Sequence, residues 1–175
     1  SATNNSWGGL ALWSSGAAVS DGVGIHHVDI VNSTFANNSG VPGIYMEDSA
    51  GVGPDGFQNI SISSSDIESN GIGFTALSGT DASAVDLHQN NIVDNDQSGL
   101  YIDEGAHGKL NATQNWWGTE SGPAADAVEG DVRTNPYLTV PQSEAADSPE
   151  DFTEFGLTVE MDAGAHAFGV PGPVE

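Results

Sequence analysis

The sequence predicts an all-β fold, a right-handed solenoid of about four to five coils of parallel strands. Three markers recur along the 175 residues and lead to this prediction. They are a glycine followed by an apolar, a variable and an apolar residue; a second apolar–variable–apolar triplet; and an asparagine at a fixed distance after that triplet. Strands this short bury their apolar side chains only when equivalent coils stack above and below them.

The first marker predicts the first strand of each coil. Its apolar residues recur at steps of 44−10 = 34, 72−44 = 28 and 100−72 = 28, at Leu10, Ile44, Ile72 and Leu100. Because side chains alternate between the two faces of a strand, the residues between the apolar ones point outward. The expected outer columns are Ala11, Tyr45, Gly73, Tyr101 and, beside it, Trp13, Glu47, Thr75, Asp103.

The second marker predicts the next strand of each coil, in the triplets that begin at Val28, Ile60, Val85 and Leu110. An apolar residue follows the first three triplets after five positions, and an asparagine comes three positions later, at Asn38, Asn70 and Asn95. We expect these asparagines to form a structural turn stack in which the amides hydrogen-bond along the solenoid axis. The alternative is that they are only turn formers.

A longer motif closes the repeats. It consists of Asn-Ala-Thr-Gln-Asn-Trp-Trp-Gly over residues 111–118, then Ser-Gly-Pro over 121–123 and Val-Arg-Thr-Asn-Pro-Tyr-Leu over 132–138. This motif resembles the closing segment of β-helix regions in many secreted and cell-surface proteins of archaea and bacteria. The chain from about Leu10 to Leu138 resembles the right-handed parallel β-helix proteins of the pectin-lyase-like superfamily. Trp116 and Trp117 are then expected to cap the last coil, with a ligand platform as the alternative.

The domain organisation follows from changes in composition along the chain. Residues 1–141 are predicted to form the β-helix, and residues 142–154, rich in acids and poor in apolar side chains, an exposed linker. Residues 155–175 begin with one alternating strand and are expected to form an extended tail or the start of a further domain. We expect the chain to be a piece of a longer protein.

The composition indicates a protein of high-salt surroundings. Twenty-five acids oppose two basic residues, which gives a net charge of −23. Molar salt shortens the screening length to about 3 Å and makes such a charge tolerable. The charge excludes nucleic-acid binding, which needs clustered basic residues. No apolar run is long enough to span a bilayer, and Asn-X-Ser/Thr sequons favour an extracellular or cell-surface location.

The favoured function is a structural or adhesive module that presents a rigid surface in high salt. Its expected partners are a polysaccharide, a surface glycoprotein or other copies of the same chain. The candidate glycan-binding residues lie on the outer columns of the first strands, where aromatic faces alternate with hydrogen-bond acceptors. They are Trp13, Tyr45, Glu47, Tyr101 and Asp103.

The alternative function is a fragment of a polysaccharide-acting enzyme, a lyase, hydrolase or epimerase. Lys109 and Arg133 are the only basic residues available as a lyase base, and both lie at the cap end. A carboxylate group for hydrolysis is conceivable around Asp66, Glu68, Asp94 and Asp96. No catalytic residue, cofactor or metal site is assigned, although calcium near Asp94, Asn95 and Asp96 is left open.

Overall fold

The computed structural model describes residues 1–14, 24–49, 56–145 and 152–153. These residues form parallel strands stacked as a β-solenoid of about four turns, which confirms the predicted fold class. A short 3-10 turn spans Ala82–Ala84. The strands are β1 Ala2–Thr3, β2 Leu10–Ser14, β3 Ile25–Val31, β4 Thr34–Ala36, β5 Pro42–Asp48, β6 Phe57–Ser63, β7 Asp66–Glu68, β8 Ile72–Ala76, β9 Val85–His88, β10 Asn91–Val93, β11 Ser98–Ile102, β12 Leu110–Asn111, β13 Val128–Glu129, β14 Val132–Arg133, β15 Tyr137–Leu138 and β16 Phe152–Thr153.

Three parallel sheets run along the solenoid, and each of the first four coils adds one strand to each sheet. Sheet A has the strand order β1-β4-β7-β10, sheet B β2-β5-β8-β11-β13, and sheet C β3-β6-β9-β12-β14. The chain passes from sheet A to B to C and then returns to A one inter-strand spacing further on, about 4.8 Å. Equivalent residues of successive coils therefore stand in columns.

The register of the third coil differs from the expected one by two residues. Phe74, not Ile72, aligns with Ile44 and with Leu100. The corner before this strand is shorter, since two residues separate Asn70 from Gly73 but four separate Asn38 from Gly43. The glycine-led marker of this coil is thus Gly-Phe-Thr-Ala over residues 73–76, and the outer residue of the column is Thr75.

The core consists of inward-facing columns that are buried in the middle coils and partly buried at the two ends. Ile44, Phe57 and Ile62 have no exposed surface. Their first-coil counterparts, Leu10, Ile25 and Ile30, are only partly buried, because β2 and β3 are the edge strands of their sheets. Coil stacking therefore produces the burial, as the shortness of the strands requires.

Residues in the left-handed backbone conformation turn the chain at two corners of each coil. At the corner from sheet A to B these residues are Asn4, Asn37, Ser69 and Asp94, with φ between 53° and 58°. At the corner from sheet C to A they are Asn32, Ser64, Gln89 and Gln114, with φ between 49° and 58°. The third connection, from sheet B to C, varies most in length: it is twice as long from Leu12 to Val28 as from Ile102 to Leu110.

The last coil continues into irregular structure. β15 pairs antiparallel with β16, so part of the predicted linker over 142–154 is a strand, and residues 142–145 form a turn whose Gln142 N–H donates to Asn91 Oδ1 at 2.9 Å. The tail predicted over 155–175 lies outside the described residues. In the part of the chain that the structure describes, no helix has the length and apolar character needed to cross a membrane.

Candidate functional site

The asparagines predicted to stack lie in one ladder at the corner from sheet A to B. Asn38 Nδ2 donates to Asn70 Oδ1 at 2.8 Å, and Asn70 Nδ2 donates to Asn95 Oδ1 at 3.1 Å. The backbone N–H of each rung donates to the same oxygen, at 3.2 and 3.1 Å. Asn5 adds a rung that was not predicted, since its N–H and Nδ2 both donate to Asn38 Oδ1.

A second ladder, absent from the prediction, occupies the corner from sheet C to A. Ser33 N–H donates to Ser65 Oγ, Ser65 N–H donates to Asn90 Oδ1, both at 3.0 Å, and Asn90 Nδ2 donates to Asn115 Oδ1 at 3.0 Å. Each rung lies three positions after the last residue of the second triplet. This constant spacing could have predicted the second ladder, but the residue at the position changes from serine to asparagine along the chain.

Trp116 and Trp117 lie in the last coil, where the chain returns to sheet A. The backbone of Trp116 pairs with β10, since its N–H donates to Asn90 O and its carbonyl accepts from Ile92 N–H, both at 2.8 Å. Trp117 therefore follows in the inward column of Ile92 and is buried in the core, with 8% of its surface exposed. Trp116 is half-buried.

The outer face of sheet B holds all five candidate glycan-binding residues. Its first outer column is Ala11, Tyr45, Thr75, Tyr101 and Glu129. Beside it stand Trp13 and Glu47 in register, then Leu77 and Asp103 one and two coils further on. We call Trp13, Tyr45, Glu47, Thr75, Tyr101 and Asp103 the tyrosine face.

The expected gap at Gly73 between the two tyrosines does not exist. Thr75 stands there, and only 3% of its surface is exposed although it points away from the core residues Phe74 and Ala76. Its register neighbours on this face are Tyr45 and Tyr101, so the tyrosine side chains cover it. They lie two inter-strand spacings apart, about 10 Å.

Each tyrosine hydroxyl donates to a carboxylate two residues further along its own strand. Tyr45 bonds Glu47 Oε2, and Tyr101 bonds Asp103 Oδ2 at 3.4 Å. Burial, the hydrogen bond to Glu47 and the charge of Glu47 raise the pKa of Tyr45 from 10.0 to about 12. The charge of Asp103 is the largest cause that raises the pKa of Tyr101, with burial, the hydrogen bond and further acids adding to it.

Trp13 extends the tyrosine face toward the first coil. Its side chain is 61% exposed, and its Nε1–H donates to Ser49 Oγ at 2.8 Å. Two further acids, Glu104 and Glu129, act on the pKa of Tyr101, so the face is acidic along its length. The arrangement combines exposed aromatic surface with fixed hydrogen-bond acceptors and a negative potential.

The carboxylates considered for glycoside hydrolysis do not stand in register across coils. Asp66 aligns with Asn91, whose Nδ2 donates to Asp66 Oδ1 at 2.7 Å, and Glu68 aligns with Val93. The candidate lyase bases have partners of their own. Lys109 Nζ lies 2.9 Å from Asp131 Oδ1, and Arg133 Nε donates to Asn135 O at 3.3 Å.

The calcium considered near Asp94, Asn95 and Asp96 lacks one of its proposed ligands. Asn95 Oδ1 is turned into the ladder, where it accepts from Asn70 N–H and Nδ2. Among the described residues, no cluster of three or more acidic or histidine side chains is arranged to hold a metal ion.

Compared with models of protein families, with curated proteins and with solved structures, the chain matches none of them.

Proposed function

We propose that the protein is a structural or adhesive module that presents the tyrosine face to a neutral polysaccharide. One observation carries the proposal: Tyr45 and Tyr101 stand in register two coils apart, each with its hydroxyl bonded to a carboxylate. A solenoid of stacked sheets holds such columns rigidly, so little conformational freedom is lost when a chain-like ligand lies along them.

The chemistry of the face suits a sugar chain. Aromatic rings offer flat apolar surface for stacking, and the carboxylates of Glu47 and Asp103 accept hydrogen bonds from hydroxyl groups. The spacing of about 10 Å between the tyrosines suits alternate sugars of an extended chain. The acids along the face repel an acidic polysaccharide, so the proposal specifies a neutral one.

Binding in high salt tests the proposal. Neutral and acidic polysaccharides are titrated against the wild type and a Tyr45→Ala/Tyr101→Ala double variant, with Trp7→Ala as the control. Trp7 is 93% exposed and lies outside the tyrosine face. We expect a neutral polysaccharide to bind the wild type and the control, and the double variant to bind at least about tenfold more weakly. Binding that survives the double change removes the tyrosine face from consideration.

A second candidate partner is another copy of the chain, and the first coil favours it. The edge strands β2 and β3 carry Leu10, Leu12 and Ile30, which are only partly buried, and Val31 is 50% exposed. Among the described residues these two edges have no pairing strand, and unpaired edges beside apolar side chains are templates for further strand pairing. Sedimentation of the wild type over a range of concentrations measures this association, and Leu12→Asp should weaken it. A monomer at every concentration would refute it.

We further propose that the module belongs to a secreted or surface-attached, pectin-lyase-like protein from a high-salt environment. The net charge of −23 supports the environment. The sequon residues Asn4, Asn32, Asn37 and Asn59 are exposed, which supports an extracellular location. Their positive φ angles give asparagine a conformational reason to occur there as well.

A further inference from the structure

A cavity of about 170 Å³ lies where the asparagine ladder ends. Its lining includes Asp94, Asn95, Asp96, Trp117 and Asp126. In the preceding coils an asparagine rung follows eight positions after the last residue of the second triplet. In the last coil this position holds Glu120, which is exposed, so the ladder has no rung beyond Asn95.

The missing rung leaves two hydrogen-bond donors without an acceptor. Asn38 and Asn70 each give their backbone N–H and one Nδ2 hydrogen to the next rung's oxygen. Asn95 donates only the bond to the preceding coil, from Nδ2 to Ile67 O at 3.0 Å. Its N–H and second amide hydrogen have no acceptor among the described residues, and both belong to a residue that lines the cavity.

At the end of the second ladder the side-chain amide donates two hydrogen bonds, whereas that of Asn95 donates one. Asn115 is fully buried, and its Nδ2 donates to Leu87 O at 2.9 Å and to Thr113 O at 3.3 Å. The Thr113 carbonyl thus accepts the side-chain hydrogen bond that the oxygen of a further rung would have accepted. Residue Asn95 has no such local acceptor.

The ring of Trp117 forms part of the wall of the same cavity. Trp117 is 8% exposed, and its buried Nε1 has no hydrogen-bond partner in the described part of the chain. A buried donor without a partner is unfavourable. The acids Asp94, Asp96 and Asp126 are exposed. The cavity therefore combines the unpaired N–H donors of partly buried Asn95 with the carboxylate acceptors of exposed acids.

We propose that this cavity binds a neutral ligand with adjacent hydroxyl groups, such as a polyol or a sugar unit. One hydroxyl oxygen takes the place of the missing asparagine oxygen, and hydroxyl protons bond to the exposed carboxylates. A hydroxyl group fits because it accepts and donates at once. The three carboxylates repel an anion, and the N–H donors of Asn95 can bond only to an acceptor, which a cation does not provide. The volume is several times the roughly 30 Å³ of one water molecule.

NMR spectroscopy in high salt tests the site directly. The Asn95 side-chain amide and the Trp117 indole N–H signals are followed during titration with myo-inositol, with methyl glucoside and with its fully O-methylated derivative. We expect saturable shifts with the first two probes and none with the third, which has lost every hydroxyl proton. A glucose oligosaccharide that binds more than about tenfold tighter than methyl glucoside identifies a glycan as the source, and equal affinity identifies a free polyol.

Matched variants separate the site from the ladder and from the tyrosine face. Asn95→Asp keeps the oxygen that Asn70 bonds but removes the amide hydrogens, while Asn70→Asp makes the same change outside the cavity. We expect Asn95→Asp to weaken binding at least about tenfold, and Asn70→Asp and the Tyr45→Ala/Tyr101→Ala variant to retain it. The site does not depend on the proposed function, because the double variant removes only the tyrosine face.

Three outcomes overturn the proposal. They are equal shifts with the O-methylated probe, tighter binding of glucuronate or calcium than of the neutral probes, and wild-type affinity in Asn95→Asp. If either ladder variant fails to fold, the comparison of probes on the wild-type protein still decides between a hydroxyl site and none.

Discussion

Single residues in an unfavourable conformation begin each of the two ladder corners. Asn37 and Ser69, for example, have φ of 57° and 55° and directly precede the rungs Asn38 and Asn70. A residue other than glycine pays about 1–2 kcal/mol for this conformation, and asparagine pays least. The rung that follows forms several hydrogen bonds in the buried corner, which offsets this cost. The corner is therefore a two-residue unit, a left-handed residue followed by a rung.

Removing one rung should destabilise the solenoid. Asn70 accepts two bonds from Asn38 and donates to Asn95 and to Phe35 O. We expect Asn70→Leu to lower the free energy of unfolding by on the order of 1 to 3 kcal/mol, because buried donors and acceptors lose their partners. Gln97→Leu, an exposed position near the same corner, is the control. Equal thermal shifts in the two variants would contradict the ladder's role.

The raised pKa of Tyr45 predicts a loss of stability at high pH. The pKa is about 12 in the folded state and ordinarily 10.0, so the neutral tyrosine stabilises the fold below pH 10.0 and this contribution is lost as the pH rises from 10.0 to about 12. Absorbance of tyrosinate during a pH titration measures the ionisation. Glu47→Gln should lower the pKa of Tyr45 but leave it above 10.0, because burial is the largest cause of the shift.

At the scale of the strand, the number of residues in each repeat varies more than the residue types that recur in it. The columns of sheet C could be predicted from the sequence, since the distance from the second triplet to the asparagine is constant. The third strand of sheet B could not, because the corner before it shortens and two glycines, Gly71 and Gly73, offer competing registers. In the structure Gly73 stands beside Gly43, whose Cβ would lie 2.9 Å from Gly73 O.

Two glycines, one in sheet B and one in the corner before it, should respond differently to substitution. A Cβ on Gly43 would also lie 2.7 Å from Asn70 Nδ2, so Gly43→Ala should cost about 1–3 kcal/mol through overpacking. Gly40 has φ of 74° and open space around it. Gly40→Asn should be nearly neutral, because asparagine tolerates this conformation.

Urea unfolding of the Gly43→Ala, Gly43→Asn and Gly40→Asn variants measures these differences. Gly43→Asn should be at least as damaging as Gly43→Ala. A Gly43→Asn protein as stable as Gly40→Asn would mean that backbone conformation, not crowding, selects glycine at position 43.

Across the described part of the molecule, the outer column of sheet C shows how acidic side chains are separated. The outer column of sheet C reads Asp29, Ser61, Asp86, Asn111 and Arg133. Asn111 Nδ2 donates to Asp86 Oδ1 at 2.7 Å, so a neutral amide bonds the acid of the neighbouring coil. Acids in this column are two spacings apart, about 10 Å, which is close to the Debye length at 0.1 M salt. The candidate site could be predicted only as a face, since contacts across coils depend on this register.

The net charge of −23 predicts that folding depends on salt. We expect the protein to be folded in multimolar salt and to lose β structure on dialysis to tens of millimolar, where the screening length exceeds about 10 Å. Circular dichroism across this range measures the change. An unchanged spectrum at low salt would refute the adaptation to high salt that the composition indicates.

The variable connection between sheets B and C has an evolutionary consequence. The two ladder corners fix the distance from one coil to the next, whereas the third connection already accepts different lengths in different coils. Insertions and deletions should therefore accumulate on this one edge, where a longer loop costs little extra entropy. The same edge is the natural place to graft a foreign peptide, since new residues there alter the outline of one coil and leave its neighbours in register.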